Sequence, residues 1–195
     1  MTRPLAVAVT GGIAAGKSEA LAAFARRGAL VSSSDEIVHR LYREDEELKA
    51  ELRARWGDAV FADDGEVDRA AVAGIVFADR AELAWLEEQL HPRVRRLYEA
   101  WLDELRASPD PPALAVAEIP LLYEARGEDR FDKVVVVTAP AHVRAERRGS
   151  ADDRESRLLP DEEKLRRADF AYVNDGSLEE LDRFVQGVVE ELESC

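Results

Sequence analysis

The sequence lacks the residues from which a disulfide-stapled or membrane-embedded protein is built. Its single cysteine, Cys195, is the last of 195 residues, so neither a disulfide framework nor a cluster of metal-binding thiolates is expected. No apolar run approaches the roughly 18–20 residues that a membrane-spanning helix needs. A short apolar run near the start leads directly into a glycine-rich motif that signal-peptide cleavage would remove. We therefore expect a cytoplasmic protein with no membrane partner.

Positive charge is also scarce. The chain has 27 lysine and arginine residues against 41 aspartate and glutamate residues, which gives a formal net charge of −14. Such a surface repels nucleic acid and anionic membranes, so no nucleic-acid partner is expected. Any anionic small molecule must be held by local positive groups. The sequence leaves the oligomeric state open between a monomer and a small homo-oligomer.

What is present is the pattern of a globular α/β protein. Hydrophobic residues make up 46% of the chain, enough for one domain with a substantial core. Short apolar runs, suited to strands buried on both faces of a parallel sheet, alternate with helical patterns. The predicted strands are Leu5–Val9, Ala29–Ser32, Ala113–Ala117, Val134–Val137 and Phe170–Val173.

A long helical pattern separates the second and third predicted strands. It extends from Asp35 to about Ser108 and predicts a helical lobe inserted into the sheet domain. Breaks are expected at Gly57, at the Asp63–Gly65 turn and at Pro92. A closing helix, Leu178–Leu192, is predicted to begin with a capping box made by residues 177 and 180.

Residues Gly11–Ser18 read G-G-I-A-A-G-K-S, a full match to the phosphate-loop pattern G-x-x-x-x-G-K-[ST] between a predicted strand and a predicted helix. Its glycines permit backbone angles that a side chain would forbid and allow close approach to phosphate. The N–H groups of the loop and the helix dipole would face the β-phosphate. Lys17 would bring positive charge to the β- and γ-phosphates, and the Ser18 hydroxyl can bind Mg²⁺. The motif predicts a nucleoside triphosphate site.

Asp35 directly follows the second predicted strand. A right-handed crossover makes this strand parallel to the first, so its carboxyl end lies at the same sheet edge as the phosphate loop. Ligands of open α/β sheets bind at that edge. A carboxylate there could orient an acceptor hydroxyl, accept its proton or contribute to the magnesium shell. Asp35 could equally cap the following helix, and the pattern alone leaves both interpretations open.

Arginine is abundant between Arg144 and Arg167. Transfer of a γ-phosphoryl group needs positive charge on its oxygens, and an arginine-bearing segment can supply it. Acidic residues are interspersed with these arginines, a pattern that is also typical of a solvated helix face. From the pattern alone, the solvated face is the favoured interpretation.

Taken together, these segments resemble the dephospho-coenzyme A kinase family, which has a P-loop fold of the nucleotide-kinase type. The resemblance covers almost the whole chain. Its discriminating parts are the His91-Pro92 pair and the P-L-L-Y-E sequence, which P-loop proteins at large lack. The matching segments are Val9–Ser18, V-S-S-S-D-E-I-V-H-R (Val31–Arg40), Asp64–Val94, E-I-P-L-L-Y-E (Glu118–Glu124) and A-D-F-A-Y-V-N-D-G-S (Ala168–Ser177).

The resemblance implies an enzyme that uses ATP and Mg²⁺ to phosphorylate the ribose 3′-hydroxyl of dephospho-CoA. The products would be CoA and ADP, in the last step of coenzyme A biosynthesis. It also implies a single kinase domain with a three-layer P-loop NTPase fold and a parallel sheet. Within it, residues 1–34 and 110–195 would form the nucleotide-binding core, residues 35–109 the helical acceptor lobe and residues 141–167 a short lid.

The same resemblance assigns roles to individual residues. Asp35 would activate or orient the hydroxyl and could also bind the metal. Lys17 and Arg147 would act on the transferred phosphate, although Arg144 or Arg148 could replace Arg147. The ATP-binding residues would be Gly12, Ile13, Ala14, Ala15, Gly16, Lys17, Ser18, Glu19 and Asn174, with Ser18 also at Mg²⁺. The acceptor-binding residues would be His91, Leu121, Leu122 and Glu124.

The chain departs from the family pattern in a few places. Its arginine-rich segment is shorter between Arg147 and Arg154, and the positions with an unusual residue are Glu19, Ser33, Glu118 and Leu158. Three other functions compete with the first. Another small-molecule kinase would share the loop, a GTPase-like switch would need an N-K-x-D motif that V-N-D-G does not supply, and the short segment would suit a non-catalytic binding protein. The intact Lys17, Ser18 and Asp35 argue against the last.

Overall fold

A computed structural model describes residues 3–148 and 158–194 of the protein. Five parallel strands form one sheet in the order β2-β3-β1-β4-β5. The predicted parallel α/β fold is confirmed, and every predicted strand is present with small shifts at its ends. The strands are β1 (Leu5–Gly11), β2 (Leu30–Ser33), β3 (Leu114–Glu118), β4 (Lys133–Thr138) and β5 (Phe170–Val173).

Helices connect and flank these strands. No helix within the described ranges is long and apolar enough to cross a membrane. The predicted capping box is confirmed at the start of the last helix, where the Ser177 hydroxyl accepts the Glu180 N–H and the Glu180 carboxylate accepts the Ser177 N–H. The α-helices are α1 (Lys17–Arg26), α2 (Ser34–Glu44), α3 (Glu46–Trp56), α4 (Arg69–Ala78), α5 (Arg80–Ala107), α6 (Ala141–Arg148), α7 (Asp161–Arg167) and α8 (Leu178–Glu193).

The central strands are buried on both faces because they are apolar almost throughout. Alternate residues of β1, β3 and β4, such as Val7 and Val135, pack in one cluster with side chains of α1 and α8. Phe24 of α1 is completely buried in this cluster, and burial of such a side chain contributes about 1.5–3 kcal/mol. The helix that follows the glycine-rich motif is thereby fixed against the sheet.

The chain forms two compact units. The first consists of the residues up to Ser34 together with those from Trp101 onward, and the second is Asp35–Ala100. The first unit contains the sheet, α1 and α6 to α8. The second contains α3, α4 and most of α2 and α5, and its core includes the fully buried Leu48 and Leu52.

A buried cation is the main polar feature of the second unit. The Arg93 guanidinium lies 2.9 Å from a Glu51 carboxylate oxygen and 3.4 Å from one of Asp45. It also donates to the Gln89 carbonyl oxygen at 2.9 Å. A buried charge needs such compensation, so these contacts tie α5 to α3 and to the turn before it.

The predicted break at Pro92 is wrong, because α5 continues through this residue from Arg80 to Ala107. Proline removes one backbone donor, and its ring crowds the carbonyl group four residues earlier. On either side of Pro92 the helix is anchored by buried side chains, among them Leu86 and Tyr98. This packing outweighs the local preference for a break.

Replacement of Pro92 by alanine is expected to stabilise the protein. The Pro92 side chain is exposed, so the substitution restores a helix hydrogen bond without opening a cavity. The free energy of unfolding should rise by up to about 3 kcal/mol, as measured by urea denaturation. Arg96→Ala, at another exposed position of α5, is the control and should change it by less than about 0.5 kcal/mol. A less stable Pro92→Ala variant would contradict this account.

Candidate phosphate-binding site

The glycine-rich loop leaves the sheet at the end of β1 and enters α1. Gly11 has a φ of +142°, and a Cβ atom there would lie 1.8 Å from the carbonyl oxygen of Val137 on β4. Gly16 has a φ of +101° and is the N-cap of α1, and it has no side chain to accept the first N–H groups of that helix. Ala14 also has a left-handed backbone, with a φ of +57°. Such open amide groups at a helix N-terminus are suited to bind a phosphate.

Lys17 is the cation of this loop. Its side chain is mostly buried, and Nζ donates to the Gly12 carbonyl oxygen at 2.9 Å. A carboxylate oxygen of Glu118 lies 4.0 Å from the same Nζ. The hydrogen bond to Gly12 therefore holds the charge of Lys17 next to the loop.

Glu118 is a candidate functional residue that the sequence showed only as a departure from a family pattern. It ends β3, the strand next to β1, and its side chain is almost completely buried. Its carboxylate accepts a weak 3.4 Å hydrogen bond from the Ser33 hydroxyl, and its carbonyl accepts the Ser34 hydroxyl at 2.6 Å. An acidic residue at the carboxyl end of a buried strand beside the loop strand was the signal that could have identified it.

Two arginines of α6 lie against the loop. The Arg147 guanidinium donates to the carbonyl oxygens of Ala14 and Ala15 at 3.3 and 3.4 Å. Arg144 forms an ion pair with Asp161, the first residue of α7. The Arg144 guanidinium would lie 3.0 Å from a Cβ atom at Gly12. Arg147 thus forms hydrogen bonds with the loop, whereas Arg144 forms its ion pair with α7.

Part of the arginine-rich segment cannot be compared with its prediction. The Arg148 side chain and residues 149–157 lie outside the described part of the chain. They include most of the stretch between Arg147 and Arg154, in which the sequence predicts a segment shorter than the family pattern. Leu158, which follows them, is partly buried.

Asn174 lies beneath the loop. Its side-chain amide donates to the Ala15 carbonyl oxygen at 2.8 Å, and its carbonyl oxygen accepts from Arg147 at 3.4 Å. Its backbone N–H donates to the carbonyl oxygen of Thr138 at the end of β4, at 2.7 Å. The structure thus brings together Asn174, Arg147 and the loop residues, all within the first unit.

Asp35 is the first residue of the second unit and lies in the first turn of α2. Its side chain is exposed. Asp45 and Asp68 accept backbone N–H groups as caps of α3 and α4, whereas no such bond is made by Asp35 within the described residues. The preceding Ser34 is held to the end of β3 through its hydroxyl. The capping interpretation of Asp35 is therefore not supported.

The remaining predicted residues differ in exposure. Ser18 and Glu19 are exposed in the first turn of α1, and Ile13 is partly exposed. His91 is exposed on α5 in the second unit. Leu121 is partly exposed, but Leu122 is completely buried, so the latter side chain packs in the interior and has no surface for an acceptor.

Glu124 makes contacts within the first unit that the sequence did not predict. Its carboxylate accepts the Leu159 N–H at 2.9 Å and lies 2.8 Å from Nζ of the fully buried Lys164. The neighbouring Tyr123 is also buried, and burial raises the pKa of its hydroxyl to about 12, although the Arg167 guanidinium over its ring opposes this shift. The contacts of Glu124 with Lys164 and of Tyr123 with Arg167 hold α7 in place.

Gly11→Ala is expected to disrupt the loop far more than Gly28→Ala, the matched control. Both residues have a positive φ, but a Cβ atom at Gly28 meets nothing within 4 Å. Gly28→Ala should cost only the backbone strain, about 1–2 kcal/mol of unfolding free energy. Gly11→Ala adds a clash with Val137 and should destabilise by several times that, or prevent folding, in denaturant titrations. Equal effects of the two substitutions would show that the space at Gly11 is unimportant.

Comparison with known proteins identifies the family. The family model described as dephospho-CoA kinase matches residues 5–180. A dephospho-CoA kinase from Mesorhizobium japonicum is 39% identical over 199 residues, covering 96% of each chain. The crystal structure of TT1252 from Thermus thermophilus has a TM-score of 0.73 at 36% identity and covers 98% of this chain and 99% of that one. The dephospho-CoA kinase from Campylobacter jejuni has a TM-score of 0.70 at 26% identity and covers 96% of each chain. The chain belongs to the dephospho-CoA kinase family.

Proposed function

We propose that the protein transfers the γ-phosphoryl group of ATP to the ribose 3′-hydroxyl of dephospho-CoA, giving CoA and ADP. The observation that carries this proposal is a phosphate loop with an open helix N-terminus and a buried Lys17, in a chain of this family. The reaction would be the last step of coenzyme A biosynthesis.

The loop and Lys17 would hold the phosphates of ATP. The N–H groups at the start of α1 provide neutral donors, and the helix dipole adds partial positive charge. Lys17 donates to Gly12, a neutral carbonyl group, and a phosphate oxygen is a stronger acceptor that can replace it. ATP binding would thus exchange a hydrogen bond from the Lys17 ammonium to a neutral acceptor for one to a charged acceptor.

Arg147 suits contact with the transferred phosphate better than Arg144. Its hydrogen-bond acceptors among the described residues are neutral carbonyl oxygens, which do not cancel its positive charge. Arg144, by contrast, is paired with the carboxylate of Asp161. Positive charge that is already fixed beside the loop can stabilise the negative charge of the transferred group.

Asp35 is the proposed general base. Its carboxylate is exposed and belongs to the turn that follows Ser34, whose hydroxyl is bound at the end of β3. An exposed carboxylate that is not used as a helix cap can accept a proton from an incoming hydroxyl group. His91, Leu121 and Glu124 remain predictions for acceptor contact, as do the cytoplasmic location and the oligomeric state.

Mg²⁺ is the metal ion that we propose enters with ATP. The Ser18 hydroxyl and the carboxylates of Asp35 and Glu118 are the hard oxygen ligands that this ion prefers. No three His, Cys, Asp or Glu side chains are grouped for a metal ion in the described part of the chain, and we propose that phosphate oxygens and water supply most of the ligands. When bound, the ion neutralises charge that develops on the phosphates.

The proposed function is tested by ADP release from ATP and Mg²⁺, with and without dephospho-CoA. AMP, adenosine and shikimate serve as other acceptors. Only dephospho-CoA should stimulate release, with CoA as the product, and Lys17→Ala should abolish transfer while the protein still folds. Stimulation by a different acceptor would overturn the substrate assignment. No stimulation by any acceptor, with ATP still bound, would favour a non-catalytic binding protein.

Asp35→Asn should lower kcat by about 10²–10⁴-fold while ATP affinity stays nearly unchanged, because the substitution removes a proton acceptor and leaves the loop intact. Steady-state kinetics and calorimetric ATP titration measure the two quantities. Glu36→Gln is the matched control, since Glu36 is the adjacent exposed carboxylate in the same helical turn. Near-normal turnover of Asp35→Asn would remove Asp35 from the chemistry.

A further inference from the structure

We infer that Asn174 is a positioning residue for the phosphate loop and that it does not read the nucleotide base. The inference rests on the nucleotide site of the proposed function. Only 3% of Asn174 is exposed, and its side-chain amide donates to the Ala15 carbonyl oxygen inside the protein. The amide is thus turned toward the backbone of the loop, and the residue offers little surface to a base.

Asn174 is bound from several directions. Its backbone N–H donates to Thr138 at the end of β4, so the residue is fixed to the sheet. Its carbonyl oxygen accepts from Arg147, which also donates to the carbonyl oxygens of Ala14 and Ala15. The residue therefore joins the sheet, the loop and the proposed phosphate arginine.

The bond to Ala15 determines the direction of the next amide group. In a planar trans peptide the C=O and the following N–H point in opposite directions. Asn174 holds the Ala15 carbonyl inward, and so the Gly16 N–H points away from Asn174. This orientation leaves that N–H available to a phosphate at the start of α1.

The same amide explains why position 16 has no side chain. A Cβ atom at Gly16 would lie 2.3 Å from Nδ2 of Asn174. Gly16 also has a φ of +101°, which favours glycine independently. Asn174 thus occupies the space next to Gly16 and supports the backbone of the turn through its bond to Ala15.

The test separates phosphate binding from base recognition. Asn174→Ala and Asn174→Leu both remove the donor, and leucine nearly preserves the side-chain shape. Affinities for ATP, GTP and inorganic tripolyphosphate are measured by calorimetry with Mg²⁺ and no acceptor. Both variants should lose about tenfold in affinity for all three ligands, because the Ala15 carbonyl keeps only its longer 3.4 Å bond from Arg147 and its direction is held less firmly. The ratio of ATP to GTP affinity should stay constant.

Ser177→Ala is the matched control for general destabilisation. It breaks the capping box of α8 in the same segment and should lower the thermal midpoint while tripolyphosphate affinity stays unchanged. A loss for ATP alone would show a base contact, and unchanged affinities would show a structural role only. Either result, or failure of the unaltered protein to bind tripolyphosphate, would overturn the inference. The expected loss of affinity in a protein that cannot use dephospho-CoA would instead overturn the proposed function.

Discussion

The close contact between Gly11 and Val137 is the constraint from which the site geometry follows. At this point β1 and β4 approach so closely that no side chain fits between them. The chain can therefore leave the sheet sharply, and α1 begins only a few residues later. Because the strands on either side of β1 are buried, the loop has a rigid base, and its amide groups need little ordering when a phosphate binds.

The protein has an overall excess of carboxylates, but three cationic side chains lie close to the phosphate loop. A net charge of −14 opposes the approach of ATP and dephospho-CoA, both anionic. Near the loop, Lys17 faces Glu118 and Arg144 is paired with Asp161, so these cations are compensated before a ligand arrives. Among the described residues, Arg147 bonds to neutral carbonyl groups instead. Its positive charge is therefore compensated less there than the charges of the more buried Lys17 and Arg144.

Much of the fold and part of the site could be predicted from the sequence. Lys17 and Ser18 are identified by a local pattern, and the strands by short apolar runs, because both depend on neighbouring residues. The continuity of α5 through Pro92 could not be predicted, since burial of Leu86 and Tyr98 decides it. The partners of Glu118 and Glu124 also come from distant parts of the chain. A single sequence carries no signal for such contacts.

The position of β1 in the sheet also affects how the protein is made. The loop motif leaves the ribosome before β3 and β4, the two strands that pair with β1 and that come much later in the chain. Asn174 and α8, which support the loop and α1, are translated later still. During synthesis the apolar strand β1 therefore stays unpaired until β3 and β4 have been translated. The loop of the nucleotide site is thus translated well before the segments that complete the site.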